Sequence, residues 1–294
     1  MTAIGMSASR TAWTLGGASV RGASHVRRGQ PNQDAIGWLP PVAAQTTESF
    51  AAAVSDGHGG AAYYRSEVGS RLAVDVAKSI LGRFLEAPEP SDDMSAIVAE
   101  VLTAWRQAVM QDLAGHPVDS EWIESEQERL LPYGATLAAV AIRPDRLIAL
   151  QIGDGDMLFG YPDGTVERPL PNDEGLFGEQ TYSLCLDDAA QRFRVRSRRR
   201  VDGEPWPDFV MLSTDGISKS FADEKTFLSI ARDYRASVRK MGLRSVLDQL
   251  EKWLGDVSHR GSGDDVTLCL AIGAPLAAPA DTGRSTEYAP ETSM

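Results

Sequence analysis

A carboxylate, a glycine carbonyl and an imidazole stand together in the segment Asp56-Gly57-His58-Gly59-Gly60, which follows the apolar run 50–53. A strand that ends at this point would bring the three groups out of a buried sheet side by side. Carboxylate and carbonyl oxygens are hard ligands that suit Mg²⁺ or Mn²⁺, and an imidazole can transfer a proton. The segment therefore predicts a centre that combines metal binding with acid–base chemistry.

Four more acidic motifs stand beside strand-like runs. They are Asn32-Gln33-Asp34, Gly153-Asp154-Gly155-Asp156, Ser213-Thr214-Asp215-Gly216 and Gly263-Asp264-Asp265. Asp-Gly is also the strongest short signal for a hairpin turn, and we interpret Asp163-Gly164 and Asp202-Gly203 as turns only. Asp56, Asp154 and Asp215 differ because each stands where an apolar run breaks. Jointly, the motifs favour a metal site over a set of unrelated turns.

Composition narrows the class of protein. The chain has 294 residues, 43% of them hydrophobic, which is enough for one large domain or two modest ones. Its formal net charge of -12 argues against a nucleic-acid partner. No run approaches the ~20 apolar residues of a membrane span, and no secretory signal pattern is present, so we expect a cytoplasmic protein without a membrane partner. Cys185 and Cys269 have no zinc-like spacing and are interpreted as free thiols.

The elements that must position the motifs follow from periodicity. The pattern predicts strands over 13–20, 35–39, 50–54, 136–142, 146–152, 157–161, 192–197, 209–212 and 266–272. Apolar residues at intervals of four predict helices over 60–85 and 91–114, and a helical region covers 223–254. Strands joined by short turns and helices in pairs favour an α+β class. We expect an α/β/β/α four-layer sandwich, in which two packed antiparallel sheets are flanked by helical pairs.

The rest of the chain carries weaker signals. We expect one catalytic domain over 1–273 and a disordered tail over 274–294, which is rich in Pro, Ala, Thr and Ser. The segment 169–188 has no periodicity and is interpreted as a long loop or flap, a kind of segment that is often functional. Arginines alternate with other residues over 192–198, which indicates one face of a strand and favours a solvated sheet edge over a phosphate-binding patch.

The order of these motifs resembles the metal-dependent, type 2C protein serine/threonine phosphatases of the bacterial type. The resemblance covers about residues 12 to 272. It is carried by Gln33-Asp34, Asp56-Gly57-His58-Gly59-Gly60, Gly134-Ala135-Thr136, Gly153-Asp154, Thr214-Asp215-Gly216 and Gly263-Asp264-Asp265. It implies the hydrolysis of phosphoserine and phosphothreonine in a protein partner that is the target of a Ser/Thr kinase. It also implies two Mn²⁺ or Mg²⁺ ions and a third, weaker one.

The resemblance further implies a role for each motif residue. Asp56 would bridge the two ions, and the Gly57 carbonyl would bind one of them. Asp34, counted as both catalytic and metal-binding, and Gln33 would act through bound water, while Asp154 corresponds to the acid that holds the third ion together with Asp215. The implied metal-binding set is Asp34, Asp56, Gly57, Asp154, Asp215 and Asp264.

The chemistry of these residue types agrees with that assignment. The lack of a His or Cys cluster disfavours zinc. Two divalent ions lower the pKa of a shared water and clamp the phosphoryl oxygens, so that a hydroxide attacks in line without a protein nucleophile. The leaving alkoxide needs a proton, and His58 is the candidate general acid.

One position departs from the family pattern. Many members place a phosphate-binding arginine four residues before Gln33, where this chain has Gly29. Arg27, Arg28 or Arg65 could replace it. Two rival functions are also open: a pseudophosphatase that binds without turnover, and a metal-dependent phosphodiesterase that acts on nucleic acid. A pseudophosphatase would lack the bridging or terminal aspartates, which this chain retains. The acidic net charge disfavours a phosphodiesterase that acts on nucleic acid.

Overall fold

The computed structural model describes residues 11–117, 125–171 and 181–276. The strands are β1 Thr11–Val20, β2 Ala35–Leu39, β3 Phe50–Ser55, β4 Leu137–Ile142, β5 Arg146–Ile152, β6 Asp156–Gly160, β7 Val166–Glu167, β8 Arg194–Arg199, β9 Phe209–Ser213 and β10 Val266–Pro275. The helices are α1 Ala23–Arg28, α2 Ser66–Glu86, α3 Met94–Gly115, α4 Glu126–Leu130, α5 Ala189–Arg192, α6 Asp215–Ser218, α7 Glu224–Met241 and α8 Leu243–Arg260. None of these helices is long and apolar enough to cross a membrane.

Two five-stranded sheets form the centre of the molecule, in the orders β1-β10-β9-β6-β7 and β2-β3-β4-β5-β8. All the strand pairs are antiparallel. β1 aligns with β10 along its whole length, from Thr11 opposite Pro275 to Val20 opposite Val266. The first and last described strands are therefore neighbours.

Strand β3 shows how the layers form. Successive side chains of a strand point to opposite faces. Phe50, Ala52 and Val54 enter the core between the two sheets, whereas Ala51 and Ala53 enter the core under α2 and α3. A third core lies between the first sheet and α7 and α8. The order helices, sheet, sheet, helices confirms the predicted α/β/β/α sandwich.

Most predicted elements are present, and the differences have local causes. The helix expected from residue 60 begins at Ser66, because residues 61–63 form a separate 3₁₀ turn. The region 223–254 is two helices, divided at Gly242, whose φ of 82° cannot continue a helix. β10 continues to Pro275, beyond the predicted strand end. Residues 172–180 of the expected flap and 277–294 of the expected tail lie outside the described residues.

Candidate active site

A cleft of about 850 Å³ opens where strand ends of both sheets meet. Four of the five acidic motifs contribute a carboxylate, or a backbone carbonyl beside one, to its wall. The predicted site residues that line it are Arg28, Gln33, Asp56, Gly57, His58, Asp154, Asp215 and Asp264. Asp156, in the same motif as Asp154, is instead buried and pairs with Arg168 at 2.6 Å. The structure thus brings most of the predicted set to one place.

Asp34 lies behind the cleft wall. Its Oδ2 accepts hydrogen bonds from the hydroxyls of Thr214 and Thr267, both at 2.7 Å. Its Oδ1 is buried without a hydrogen-bond partner among the described residues. Thr267 of β10 and Thr214, the residue after β9, therefore hold one carboxylate oxygen and leave the other available.

The turn after β3 is fixed by backbone contacts. The N–H of Asp56 donates to the Thr136 hydroxyl at 3.0 Å, and the N–H of Gly57 donates to the Gln33 carbonyl at 3.1 Å. A Cβ at Gly57 would lie 2.6 Å from the Ser66 carbonyl oxygen, a distance that real Cβ atoms do not tolerate. Glycine at this position therefore lets the second motif pack against the first motif and the start of α2.

Crowding raises the pKa of the acids. Burial raises the pKa of Asp56 well above its usual range, and the carboxylates of Asp34, Asp215, Asp264 and Asp154 raise it further. Burial also raises the pKa of Asp34 well above its usual range, with Asp265 as the next cause. Burial, and then Asp154, raises the pKa of Asp215 to about 7. These carboxylates repel one another, so the ionised set is stable only with added cations.

The donor set fits Mg²⁺ or Mn²⁺. Within the described ranges, no three His, Cys, Asp or Glu side chains already converge on one ion position. However, Gln33 Oε1, Asp34 Oδ1 and Asp215 Oδ1 are buried oxygens without a hydrogen-bond partner in the described chain. Buried polar atoms normally find partners, and hard oxygens are the ligands that these ions prefer. If the carboxylates moved slightly toward a bound cation, the buried oxygens would gain a partner and the cation would gain the hard oxygen ligands that it prefers.

His58 is held at the cleft by its backbone and by an aromatic neighbour. Its N–H donates to the Gly134 carbonyl at 3.0 Å, and its ring meets Tyr63 edge-on, with centroids 5.0 Å apart. Burial lowers the pKa of His58 to about 4; Asp154 opposes this shift and Lys219 adds to it. The imidazole is therefore neutral at pH 7, and a phosphate dianion beside it would raise its pKa again.

Two functional residues were not predicted from the sequence. Lys219 lines the cleft and forms an ion pair with Asp215 Oδ2. The sequence feature that indicates this pair is a lysine four residues, or one helical turn, after an acid. His25 also lines the cleft, with Nδ1 2.9 Å from Asp265 Oδ2 and Nε2 3.7 Å from Asp264 Oδ1. Sequence gave no sign that the short helix α1 reaches the cleft.

Asp265 has a different role from its neighbour Asp264. Asp264 lines the cleft. The side chain of Asp265 is buried, and its oxygens accept the N–H groups of Gly22 and Gln33, both at 2.6 Å. Asp265 therefore fixes the segment between β1 and β2 against the start of β10.

The three candidate arginines have different environments. Arg28 is exposed and lines both the cleft and a second pocket of about 450 Å³ beside it. Arg27 donates to the Ser24 hydroxyl at 3.0 Å. Arg65 donates to the Tyr133 hydroxyl at 2.6 Å and lies 3.7 Å from Asp112. Of the three, the structure brings only Arg28 to the cleft.

The arginines of β8 support the site from outside. β8 is an edge strand, as predicted, but Arg194, Arg196 and Arg198 are half-buried. Arg194 and Arg196 donate to backbone carbonyls of the segment 169–171 at 2.7 and 3.2 Å. Arg194 also donates to the carbonyl of Gly153. Arg194 thus holds the loop that carries Asp154, and these arginines do not form a freely solvated edge.

The family assignment follows from this fold and cleft. The family model described as Protein phosphatase 2C matches residues 21–255, more than half of the chain. The chain therefore belongs to the protein phosphatase 2C family. No curated protein sequence matches it significantly.

Solved structures show the same fold at low identity. The catalytic domain of the serine/threonine protein phosphatase PstP, in complex with 2 manganese ions, is 20% identical, with 90% of this chain and 99% of that chain covered and a TM-score of 0.53. Mycobacterium tuberculosis PstP/Ppp is 18% identical, with 89% and 98% covered and a TM-score of 0.54. A bacterial serine phosphatase is 17% identical, with 90% and 99% covered and a TM-score of 0.55.

Proposed function

We propose that this chain is a metal-dependent serine/threonine protein phosphatase that hydrolyses phosphoserine and phosphothreonine. The observation that carries the proposal is the convergence of acidic motifs from both sheets on one cleft, beside buried oxygens that have no partner among the described residues. Its substrate would be a phosphorylated protein, the target of a Ser/Thr kinase. A signalling role in the cytoplasm is part of the proposal, and cell fractionation tests the location.

The residues that would hold two Mn²⁺ or Mg²⁺ ions are Asp34, Asp56, Gly57, Asp215 and Asp264, with Gln33 acting through water. Bound divalent ions would lower the pKa of a water molecule and neutralise the phosphoryl oxygens. The two manganese ions of the PstP structure support this number. Burial and the neighbouring carboxylates raise the pKa values of Asp34 and Asp56, so added positive charge would stabilise their ionised forms.

The other residues of the cleft would bind the substrate and move a proton. Arg28 stands at the cleft wall with its guanidinium exposed, where it can pair with the outer phosphate oxygens. His58 is neutral at pH 7 in the free cleft, so it would first take a proton from solvent when the phosphate dianion arrives and raises its pKa. It would then donate that proton to the serine or threonine oxygen as the ester bond breaks.

A second function, that of a pseudophosphatase, has one observation in its favour. Lys219 pairs with Asp215, a residue of the proposed metal-binding set. If the lysine kept metal out altogether, the cleft would bind phosphoprotein without turnover.

The test is turnover of a phosphothreonine peptide by the purified chain, with Mn²⁺ or Mg²⁺ and with EDTA. A nucleotide diester is assayed in parallel. We expect peptide hydrolysis that EDTA abolishes and added Mn²⁺ restores. Turnover in EDTA would refute the mechanism, binding without turnover would establish the pseudophosphatase, and preference for the diester would establish a phosphodiesterase.

A further inference from the structure

The two carboxylate oxygens of Asp215 have different surroundings. Oδ1 is buried and has no hydrogen-bond partner in the described ranges. Oδ2 forms an ion pair with the ammonium of Lys219. One oxygen is thus available to a metal ion inside the cleft, while a cation from the chain itself already occupies the other.

The position of Lys219 follows from the local backbone. Asp215 begins the short helix α6, and Lys219 caps the end of that helix with its N–H donating to the Asp215 carbonyl at 2.8 Å. Residues four apart on a helix face the same side, so the ammonium returns to the acid that starts the turn. The half-exposed lysine side chain therefore reaches the cleft from its outer rim.

The surroundings of the ammonium are acidic on more than one side. Asp154 lines the same cleft. Lys219 thus places a positive charge against Asp215 in a cleft that Asp154 and Asp56 also line, and it offsets part of their repulsion without an added ion.

Two roles for this cation can be compared. A lysine that binds substrate phosphate would direct its ammonium toward the ligand and away from the acids; Arg28, in comparison, is an exposed cation at the cleft wall. Lys219 instead directs its ammonium to Asp215, on the oxygen opposite the buried one. This geometry favours a role for Lys219 as a counter-ion of the acids over a role in binding substrate phosphate.

We propose that Lys219 occupies the outer cation position at Asp215 Oδ2, beside Asp154, so that the chain binds divalent ions at its inner positions and excludes a third ion. The inference rests on the proposed function only for the presence of the inner ions. A lysine cannot be removed by a chelator and brings no water of its own. Lys219 would then offset one of the two carboxylate charges of Asp154 and Asp215 at all metal concentrations.

The experiment counts Mn²⁺ ions per chain, independently of catalysis. Binding is measured by calorimetry and by the electron paramagnetic resonance signal of free Mn²⁺, for the wild type, Lys219→Ala and Lys219→Asp. Lys225→Asp is the matched control, because Lys225 is exposed on α7 and does not line the cleft. Circular dichroism checks the fold of each variant.

We expect Lys219→Asp to bind one more Mn²⁺ than the wild type, and Lys219→Ala to show the same added site more weakly. The added site should bind Mn²⁺ about tenfold more tightly in Lys219→Asp than in Lys219→Ala, which corresponds to about 1.4 kcal/mol. Lys225→Asp should match the wild type.

Equal ion numbers in the wild type and Lys219→Asp would overturn the inference, as would the same gain in Lys225→Asp. If Lys219→Asp does not fold, Lys219→Ala decides by the same count. These outcomes differ from failure of the proposed function, which would appear as a wild type that binds no Mn²⁺ or that turns over no phosphopeptide with Mn²⁺ bound.

Discussion

Two parts of the site offset the repulsion among its carboxylates in different ways. The inner group consists of Gln33, Asp34 and Asp56, and the outer pair consists of Asp215 and Lys219. In the inner group, carboxylates crowd one another, and the oxygens of Gln33 and Asp34 stay unpartnered within the described chain. In the outer pair, a lysine from the next helical turn binds the carboxylate directly. A lysine of the chain offsets negative charge where the cleft meets solvent. Divalent ions from solution would offset it in the interior.

This difference separates two kinds of dependence on metal. The inner group needs divalent ions for its charge balance and, in our proposal, for its chemistry. In the outer pair, Lys219 offsets part of the negative charge without them. Variants of the inner group should therefore affect turnover most, and changes at the rim should affect substrate binding or stability.

The largest effect should come from the proposed metal-binding acids, Asp56 of the inner group and Asp264 beside it in the cleft. Asp56→Asn and Asp264→Asn should each reduce phosphopeptide turnover below detection, because each removes a ligand charge that would hold the ions. The fold should persist, since an amide relieves repulsion among the acids. Steady-state kinetics and circular dichroism check both parts.

Asp163→Asn is the control for these variants, since Asp163 is exposed and lies in the turn after β6. It should behave like the wild type. Near-normal rates in Asp56→Asn or Asp264→Asn would show that our ligand assignment is wrong.

The second effect tests proton transfer at His58. His58→Ala should slow hydrolysis of phosphoserine by ~10²–10⁴-fold, the usual range for general acid catalysis. Aryl phosphates should be affected far less, because their leaving groups depart without a proton. Measurement of kcat on both substrate types decides the point, and equal losses would mean that His58 has a structural role.

The third effect tests the rim. Arg28→Ala should raise KM for phosphopeptide several-fold with little change in metal dependence, which is the pattern of lost substrate binding. Arg27→Ala is the matched control, since Arg27 is the neighbouring arginine and binds Ser24. Arg65→Ala should also leave KM unchanged. If all three variants keep the wild-type KM, the metal ions or the segment 169–188 bind the phosphate.

The smallest effect is on stability, and its sign follows from the raised pKa values. The pKa of Asp215 is raised to about 7, so its contribution to stability is complete below about pH 4 and is lost as the pH rises through 7. Thermal unfolding of the chelator-treated protein should show a lower Tm at pH 8 than at pH 5, by several degrees.

Mn²⁺ should reduce that difference, because bound cations stabilise the ionised acids. Asp56→Asn, which removes one of the repelling charges, should reduce it as well. A metal-free Tm that is constant or rises over this pH range would contradict the electrostatic description of the inner group.

Sequence predicted the layers. The strands 35–39 and 146–152 have the bounds that their patterns indicated, because apolar alternation and flanking turns define strands locally. The predicted acids Asp56, Asp154, Asp215 and Asp264 line one cleft, because each lies beside a strand end. Sequence could not assign α1, whose six residues are too short for a periodic signal.

The missing parts of the site depend on tertiary contacts. Arg65 and Arg28 are both cations near an acidic motif in the sequence, and only the packing of Tyr133 and Asp112 shows that Arg65 points elsewhere. In the sequence, Lys219 is an ordinary lysine at a helix end, and only the structure shows that it pairs with Asp215. The arginines of β8 alternate like solvated residues, but the carbonyls that they bind belong to distant loops.

The buried carboxylate of Asp265 has a consequence for how activity first appears in a newly made chain. It joins residues 243 and 232 positions away, at Gly22 and Gln33. Contacts of such long range form late in folding, because the entropy of closing the loop must be lost before they can stabilise it. A nascent chain that ends before residue 264 would contain Asp34 and Asp56 but neither Asp264 nor β10, the partner strand of β1. In our proposal, synthesis of residues 264–275 would therefore have to precede any turnover of a phosphoprotein.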